Sequence, residues 1–308
     1  MRLHWTWALL ATILSSLHVV TASPRPATPV ERRDDPPMPK ETKYFHEPGN
    51  DDILGHYDSR YYKRVLGYDE RLETLRHMAR AYLKFFAENN LETWIAHGSL
   101  LGWWWSGNLL PWDWDLDTQV NTKTLFRLGD EFNQTTHEYS PEDKSAKRTY
   151  LLDINRFSRF RQRGEAKNII DARWIDMANG LYIDITGVSE LDPDKEPGML
   201  SCKNFHKYKV SDLYPMRMST YEGVPAKIPY RYLDILVKEY GNKSLVTIEH
   251  EGHDWDEQQK AWVPDEQKVA EIARKKEERR KKKAEEKQRK EEEKRRKEEE
   301  EKKKKEGK

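Results

Sequence analysis

The sequence predicts a mixed α/β domain, a β-sheet flanked by helices, followed by a charged tail that is either helical or disordered. Three observations carry this. Apolar residues recur at helical spacing over residues 72–86, and polar and apolar residues alternate over residues 115–120. Beyond Val269 the chain turns almost wholly to Lys, Arg and Glu.

The elements follow in order. Arg2 precedes an apolar run from Trp5 to Val20 that ends at Thr21, Ala22 and Ser23. Residues 1–22 therefore read as a secretory signal, either cleaved at the small residues or retained as an anchor, since the run reaches the lower length for a bilayer span. Either way the body is expected in the lumen of the secretory pathway, with Golgi the favoured compartment. Membrane contact is then expected only through this segment. Residues 23–43 hold six prolines between Pro24 and Pro39, together with Arg32 and Arg33, and no apolar periodicity. That composition predicts a linker that cannot bury enough surface to order itself. Residues 44–265 form the globular domain and hold most of the eleven Trp and fifteen Tyr. Cys202 is the only cysteine, which excludes a disulfide framework. Asn133-Gln134-Thr135 and Asn242-Lys243-Ser244 fit the N-glycosylation pattern.

Residues 266–308 are the tail. Arg274 to Lys308 carry 20 basic and 12 acidic residues, leaving 35 against 42 in the rest of the chain, so a net charge of +1 conceals two opposite halves. Glu277 faces Lys281, Glu285 faces Arg289, Glu293 faces Lys297, and Glu298 to Glu301 face Lys302 to Lys305 at i,i+4 spacing. Such pairs can hold a solvated single helix without an apolar face. No hydrophobic seam supports a coiled coil, and the interspersed acids exclude a nucleic-acid track.

Within the domain, Leu72, Leu75, Ala79, Tyr82, Leu83 and Phe86 predict an amphipathic helix that Asn89 and Asn90 terminate. Thr93 to Ala96 read as a buried strand running into the turn His97-Gly98-Ser99 and the start of a helix. The alternation from Asp115 to Val120 places Asp115, Asp117 and Gln119 on one strand face. Asn121 is expected to cap a helix through Phe132. Tyr150 to Ile154 and Leu181 to Thr186 read as strands, and Ile235 to Tyr240 as a closing helix stopped by Gly241.

Two adjacent carboxylates on one face repel, and a divalent cation is the usual remedy. Hard Mg²⁺ or Mn²⁺ suits carboxylate oxygens and bridges them to phosphates. Asp184, between Ile183 and Ile185, is the candidate third ligand; its alternative role is to cap a turn at a strand end. His97 either touches a phosphate or ends the strand structurally. His250-Glu251-Gly252-His253 lacks the spacing of a helical zinc motif, and Cys202 with His206 is too sparse for one. Lys203, Lys207 and Lys209 either form a solvated loop or meet phosphates. Three adjacent tryptophans, Trp103 to Trp105, cannot all face one core, so an indole is available to stack on a ligand ring.

The segment HGSLLGWWWSGNLLPWDWDLDTQV, from His97 to Val120, resembles the signature of the LicD, fukutin and fukutin-related family of phosphotransferases with a nucleotidyltransferase fold. Gly98, Ser99, Leu100, Leu101, Gly102, Pro111, Trp112, Asp113, Asp115 and Asp117 occupy the motif positions. YIDITGV from Tyr182 is similar to the family's later aspartate strand, and YEGVPAKIPYRYLDILVKEYG to its closing segment. Where bacterial members carry an arginine this chain has Trp103 to Trp105, which with the Lys/Glu tail resembles the fungal mannosylphosphorylation branch. The resemblance implies transfer of a phosphosugar from a nucleotide-diphosphate sugar such as GDP-mannose to a glycan acceptor. Asp115, Asp117 and Asp184 would be the metal-holding catalytic residues, and Asp184 would also be the candidate to take the acceptor proton. Gly98 and Ser99 would receive a phosphate on their amides, with His97, Asp113 and Trp105 lining the substrate. Two alternatives stand beside it: a non-catalytic regulator acting on a glycosyltransferase partner, and a glycan-binding protein.

Overall fold

The helical periodicity of residues 72–86 becomes α1 (Tyr68–Glu88) in a computed structural model that describes residues 40–306, apart from 143 and 191. The expected signal or anchor, and the linker up to residue 39, lie outside the described residues. Among the described residues no helix is long and apolar enough to cross a membrane. Leu75, Met78, Tyr82 and Phe86 form the buried face of α1. Asn89 donates its side-chain amide to Phe85 O at 2.8 Å, and Asn90 takes a left-handed conformation (φ 52°), so the two asparagines end the helix as their chemistry suggests.

The sheet is mixed. Its strands are β1 (Thr93–Ile95), β2 (Leu116–Asn121), β3 (Thr135–Tyr139), β4 (Arg148–Ile154), β5 (Ala172–Asp176) and β6 (Tyr182–Glu190), in the order β1-β2-β6-β5-β4-β3. The short β7 (Met199–Ser201) and β8 (Lys207–Lys209) extend from β6. Among the described residues β2 and β6 are the one parallel pair. Helix α2 (His97–Ser106) connects β1 to the turn before β2. Asn121 caps α3 (Thr122–Arg127) by accepting from Thr124 N at 2.8 Å. The α1 face packs on the sheet through Trp174 of β5, whose ring lies 5.2 Å from Phe85, 6.0 Å from Tyr82 and 5.5 Å from Tyr150. Beyond the sheet come α4 (Val210–Leu213), a hairpin of β9 (Arg217–Tyr221) and β10 (Val224–Ile228), and α5 (Tyr232–Tyr240).

Helix α5 occurs where the sequence predicts it and ends at Gly241 (φ 75°), but it does not close the domain. A three-stranded meander follows: β11 (Glu249–His250), β12 (His253–Asp256) and β13 (Ala261–Pro264). Its strands are two to four residues long, too short to show a period of their own. Asp265 then caps α6 (Glu266–Glu306), accepting from Gln267 N and Lys268 N at 3.0 and 3.1 Å.

The tail is thus a helix, and the expectation that it lacks an apolar face fails over its first turns. Val269, Ile272 and Ala273 line a cavity of about 290 Å³ together with Leu66, Tyr68 and Trp112. A Cβ on Gly252 would meet Val269 N at 2.9 Å, and Lys276 pairs with Glu251 at 2.8 Å. Farther on, Glu277–Lys281, Glu286–Lys290 and Glu293–Lys297 pair along the helix at 3.7, 2.6 and 2.8 Å. The pairings proposed from Glu298 onward involve side chains outside the described residues. Truncation after Lys282 is expected to leave the melting temperature within about 1 °C of wild type, because exposed ion pairs contribute only tenths of a kcal/mol. Truncation after Asp265 strips the apolar first turns and should lower it by several degrees. Differential scanning calorimetry on both forms checks the boundary.

Candidate active site

Parallel pairing of β2 with β6 sets Asp117 directly opposite Asp184. Asp115 lies one residue before β2, so the strand carries two of the expected same-face residues, Asp117 and Gln119, and the third approaches from the preceding turn. The carboxylate oxygens of Asp115, Asp117 and Asp184 all lie within 4.8 Å of one another. Gln119 is fully buried and accepts from Trp94 Nε1 at 3.2 Å, which makes it a strut beneath the site.

Arg173 of β5 faces Asp184 from the other side. Its Nε donates to Asp184 Oδ1 at 2.9 Å and its terminal nitrogen to Glu47 at 2.8 Å, while Tyr182 and Phe45 sandwich the guanidinium at 3.7 and 4.6 Å. A buried cation held this way offsets part of the local negative charge. The remainder is not offset. Burial raises the Asp117 pKa well above the carboxylate range, and repulsion from Asp115 and Asp184 adds to this while His97 opposes it. Asp184 also moves up through burial, against the pull of Arg173. Asp113 is pushed up to about 8 by burial and by Asp115. His56 Nε2 stands 3.6 Å from Asp115 Oδ2.

The amino end of α2 abuts these carboxylates. Ala96 N donates to Asp117 O at 3.1 Å, and the buried Ser99 hydroxyl accepts from Asp117 N at 2.9 Å. The Ser99 side chain therefore positions β2, and its amide, with that of Gly98, belongs to the open first turn of the helix. A Cβ on Gly98 would stand 3.1 Å from Asp113 Oδ2, and one on Gly102 would stand 2.5 Å from Asn108 O. Both glycines thus permit the turn carrying Asp113 to fold against α2. Arg71 of α1, which sequence reasoning missed, clamps that turn by donating to Pro111 O at 2.7 Å and to Asp113 O, with Trp114 stacked 4.3 Å from it.

Two cavities open on the aspartates and share Asp117 and Tyr240. One, about 550 Å³, is walled by Trp105, Trp112 and Trp262, with Gly98, Asp113 and Asp115 also on it. The other, about 510 Å³, is lined by His97, His206, Lys207, Tyr208, Lys238 and Glu239. His97 Nδ1 lies 2.9 Å from Glu239 Oε2, and His97, His206 and Glu239 converge within 4.8 Å. Burial alone would depress the His97 pKa, but the Glu239 hydrogen bond and the charges of Asp117 and Asp115 outweigh it, and the net shift is upward. No spacing rule connects His206 and Glu239 to His97, so this group was invisible in the sequence. Of the lysines that the sequence placed together, Lys207 lines this cavity and Lys203 and Lys209 do not. Lys203 is buried and paired with Asp171 at 2.9 Å, and Lys207 pairs with Glu196 at 2.7 Å. Among the remaining candidates, His253 is buried against Tyr68 (2.7 Å), His250 packs edge-on against Trp112 (4.8 Å), and Cys202 Sγ lies 3.3 Å from His206 Nδ1.

All three converging donors are oxygens, and their excess negative charge suits a hard divalent cation. Because Asp117 binds its proton more tightly folded than unfolded, metal-free stability falls as pH rises from the ordinary carboxylate range toward the raised value. Asp117→Asn cannot ionise, so in EDTA the variant should melt above wild type, by a margin that widens as pH rises above the ordinary carboxylate range. Added Mn²⁺ should stabilise wild type by ~2.7 kcal/mol at a hundred times its Kd and leave the variant nearly unmoved. Thermal melts with and without the ion read both effects.

Residues 90–231 match the family model described as LicD/FKTN/FKRP, nucleotidyltransferase domain. That span contains Gly98, the aspartates of the 113–117 turn, Asp184 and Arg173. Over 154 residues the chain is 35% identical to Mannosyltransferase regulator 4 of Saccharomyces cerevisiae, covering 48% of this chain and 13% of that protein. Over 138 residues it is 36% identical to Mannosyltransferase regulator 14 of the same yeast, covering 44% of this chain and 14% of that protein. The matched stretch is therefore about one seventh of the length of either relative. Through residues 90–231, a little under half of its length, the chain is similar to the LicD/FKTN/FKRP nucleotidyltransferase domain.

Proposed function

We propose that the chain is a metal-dependent phosphosugar transferase that moves mannosyl-phosphate from a nucleotide-diphosphate sugar such as GDP-mannose to a mannose hydroxyl of a glycan. The observation that carries this is the meeting of three carboxylates within 4.8 Å around Asp117, which lines both cavities. A two-substrate transfer needs such a shared centre, with donor and acceptor reaching it from different sides.

Asp115, Asp117 and Asp184 would hold Mg²⁺ or Mn²⁺, which supplies charge neutralisation for the diphosphate. The acceptor oxygen attacks the phosphorus bearing mannose, a new P–O bond forms, the anhydride bond breaks, and the nucleoside monophosphate leaves. Asp184, whose carboxylate lies within 4.8 Å of those of Asp115 and Asp117, takes the acceptor proton. The Gly98 and Ser99 amides orient a phosphate oxygen at the α2 N-terminus. Thr186 Oγ1, buried without a protein partner on the wall of the 510 Å³ cavity, supports a polar ligand there. The apolar run at residues 5–20 supports action in the lumen of the secretory pathway.

The names of the two yeast relatives favour a second role, regulation of a mannosyltransferase partner. The roles separate on one measurement. Asp115→Asn and Asp117→Asn keep side-chain volume and remove metal-binding charge, so each should fold and lose roughly a hundredfold or more in transfer. Folded variants that still transfer mannosyl-phosphate at the wild-type rate would remove the catalytic role and leave the regulator.

A further inference from the structure

We infer that the cavity walled by Trp105, Trp112 and Trp262 is the acceptor subsite and takes a pyranose ring of the glycan. This rests on the transferase function proposed above and assigns one of its two substrates to a place. Three observations converge on it.

The first is an unpaired donor. Trp105 Nε1 donates to Ser244 O at 3.0 Å and Trp255 Nε1 to Glu257 at 2.8 Å, whereas Trp262 Nε1 is buried with no acceptor. A buried N–H without a partner costs free energy comparable to a lost hydrogen bond, and a ligand hydroxyl is the acceptor that a cavity wall can meet.

The second is shape and polarity. Trp262 sits 4.9 Å from both Trp105 and Trp112, edge-on to each, so the half-buried indoles form a rigid corner. Indole faces stack on the C–H faces of sugars, and the remaining wall offers hydroxyls at Ser244 and Thr247 and the imidazole of His250.

The third is charge, which decides between the two substrates. This cavity is lined by Asp113, Asp115 and Asp117 and by no Lys or Arg, whereas the other carries Lys207, Lys238, His97 and His206 beside Asp117 and Glu239. Only the second therefore sets side-chain cations beside a diphosphate. A neutral pyranose with its hydroxyl directed at Asp115 and Asp117 suits the first. Ser244, Thr247, His250 and Trp262 all lie beyond residue 231, so this wall is added outside the span that matches the family.

The test titrates the full chain with mannotriose, followed by tryptophan fluorescence, and separately with GDP in the presence of Mn²⁺, followed by calorimetry. Trp262→Phe keeps an aromatic wall and removes only the N–H, and Trp262→Ala removes the wall. We expect mannotriose to bind wild type, roughly five- to tenfold more weakly to Trp262→Phe and more weakly still to Trp262→Ala, with the GDP affinity of Trp262→Phe unchanged within twofold. Wild type that binds GDP but no mannotriose would overturn the subsite and leave the transferase standing, as would mannotriose affinity indifferent to Trp262→Phe. A folded Trp262→Phe protein that loses GDP would place the donor in this cavity and overturn the assignment. Trp262-dependent mannotriose binding without any GDP binding would support the subsite and remove the transferase, leaving a glycan-binding protein.

Discussion

The parallel pairing of β2 with β6 is the constraint on which the rest of the structure depends. In a sheet otherwise antiparallel among the described residues, it aligns Asp117 with Asp184 across one ladder step, where like charges are unfavourable. Much of what surrounds the pair offsets that cost. Arg173 meets Asp184 from β5, anchored in turn by Glu47, Tyr182 and Phe45. The positive end of α2 approaches from the other side, tied to β2 by two hydrogen bonds to the Asp117 backbone. The carboxylates remain strained in the electrostatic sense even so, since burial and mutual repulsion keep Asp117 and Asp184 above their ordinary range. Sites that keep such strain while surrounded by compensating groups are commonly functional, because the missing compensation is what a ligand supplies.

The backbone arrangement is prepared before any ligand arrives. Gly102 allows the Asn108 carbonyl to approach where a Cβ would collide, and Arg71 bonds the carbonyls of Pro111 and Asp113. Together they fix the turn that delivers Asp115. A charged side chain buried on α1 for this purpose carries a desolvation cost, visible as a lowered Arg71 pKa, and the gain is a turn with few alternatives.

The parts of this design that the sequence revealed are those with a period or a dense motif. Helix α1, β2, the Asn121 cap, β4, β6 and α5 follow from spacing, and the aspartates from their clustering. β5 was missed because all five of its residues are buried, so a central strand shows no alternation to detect. Arg173 went with it, although a lone arginine inside an apolar strand is itself a signal of a charge partner. His206 lies just before β8, whereas Lys238 and Glu239 lie on α5, so they meet His206 only in the fold. Trp255 and Trp262 were legible as residues but not as a wall, because the meander that carries them has strands too short for any pattern. The first turns of α6 were hidden differently, since three apolar residues at the edge of a Lys/Glu run change its average composition very little.

The two cavities give the chemistry a direction. Lysines and histidines with Glu239 line one, carboxylates and indoles line the other, and Asp117 belongs to both. In the transferase we propose, a charged donor and a neutral acceptor sorted by these walls would approach Asp117 from different sides, as displacement at phosphorus requires of entering and leaving oxygens. Asp113 refines the arrangement. Burial and Asp115 push its pKa up to about 8, which favours the neutral acid over one more negative charge beside Asp115. On the same reading the amino end of α2 would face a neutral acid at Asp113, leaving the partial positive charge of its first amides for a phosphate oxygen. Spending that charge on an ionised Asp113 would close the anion site before a donor reached it.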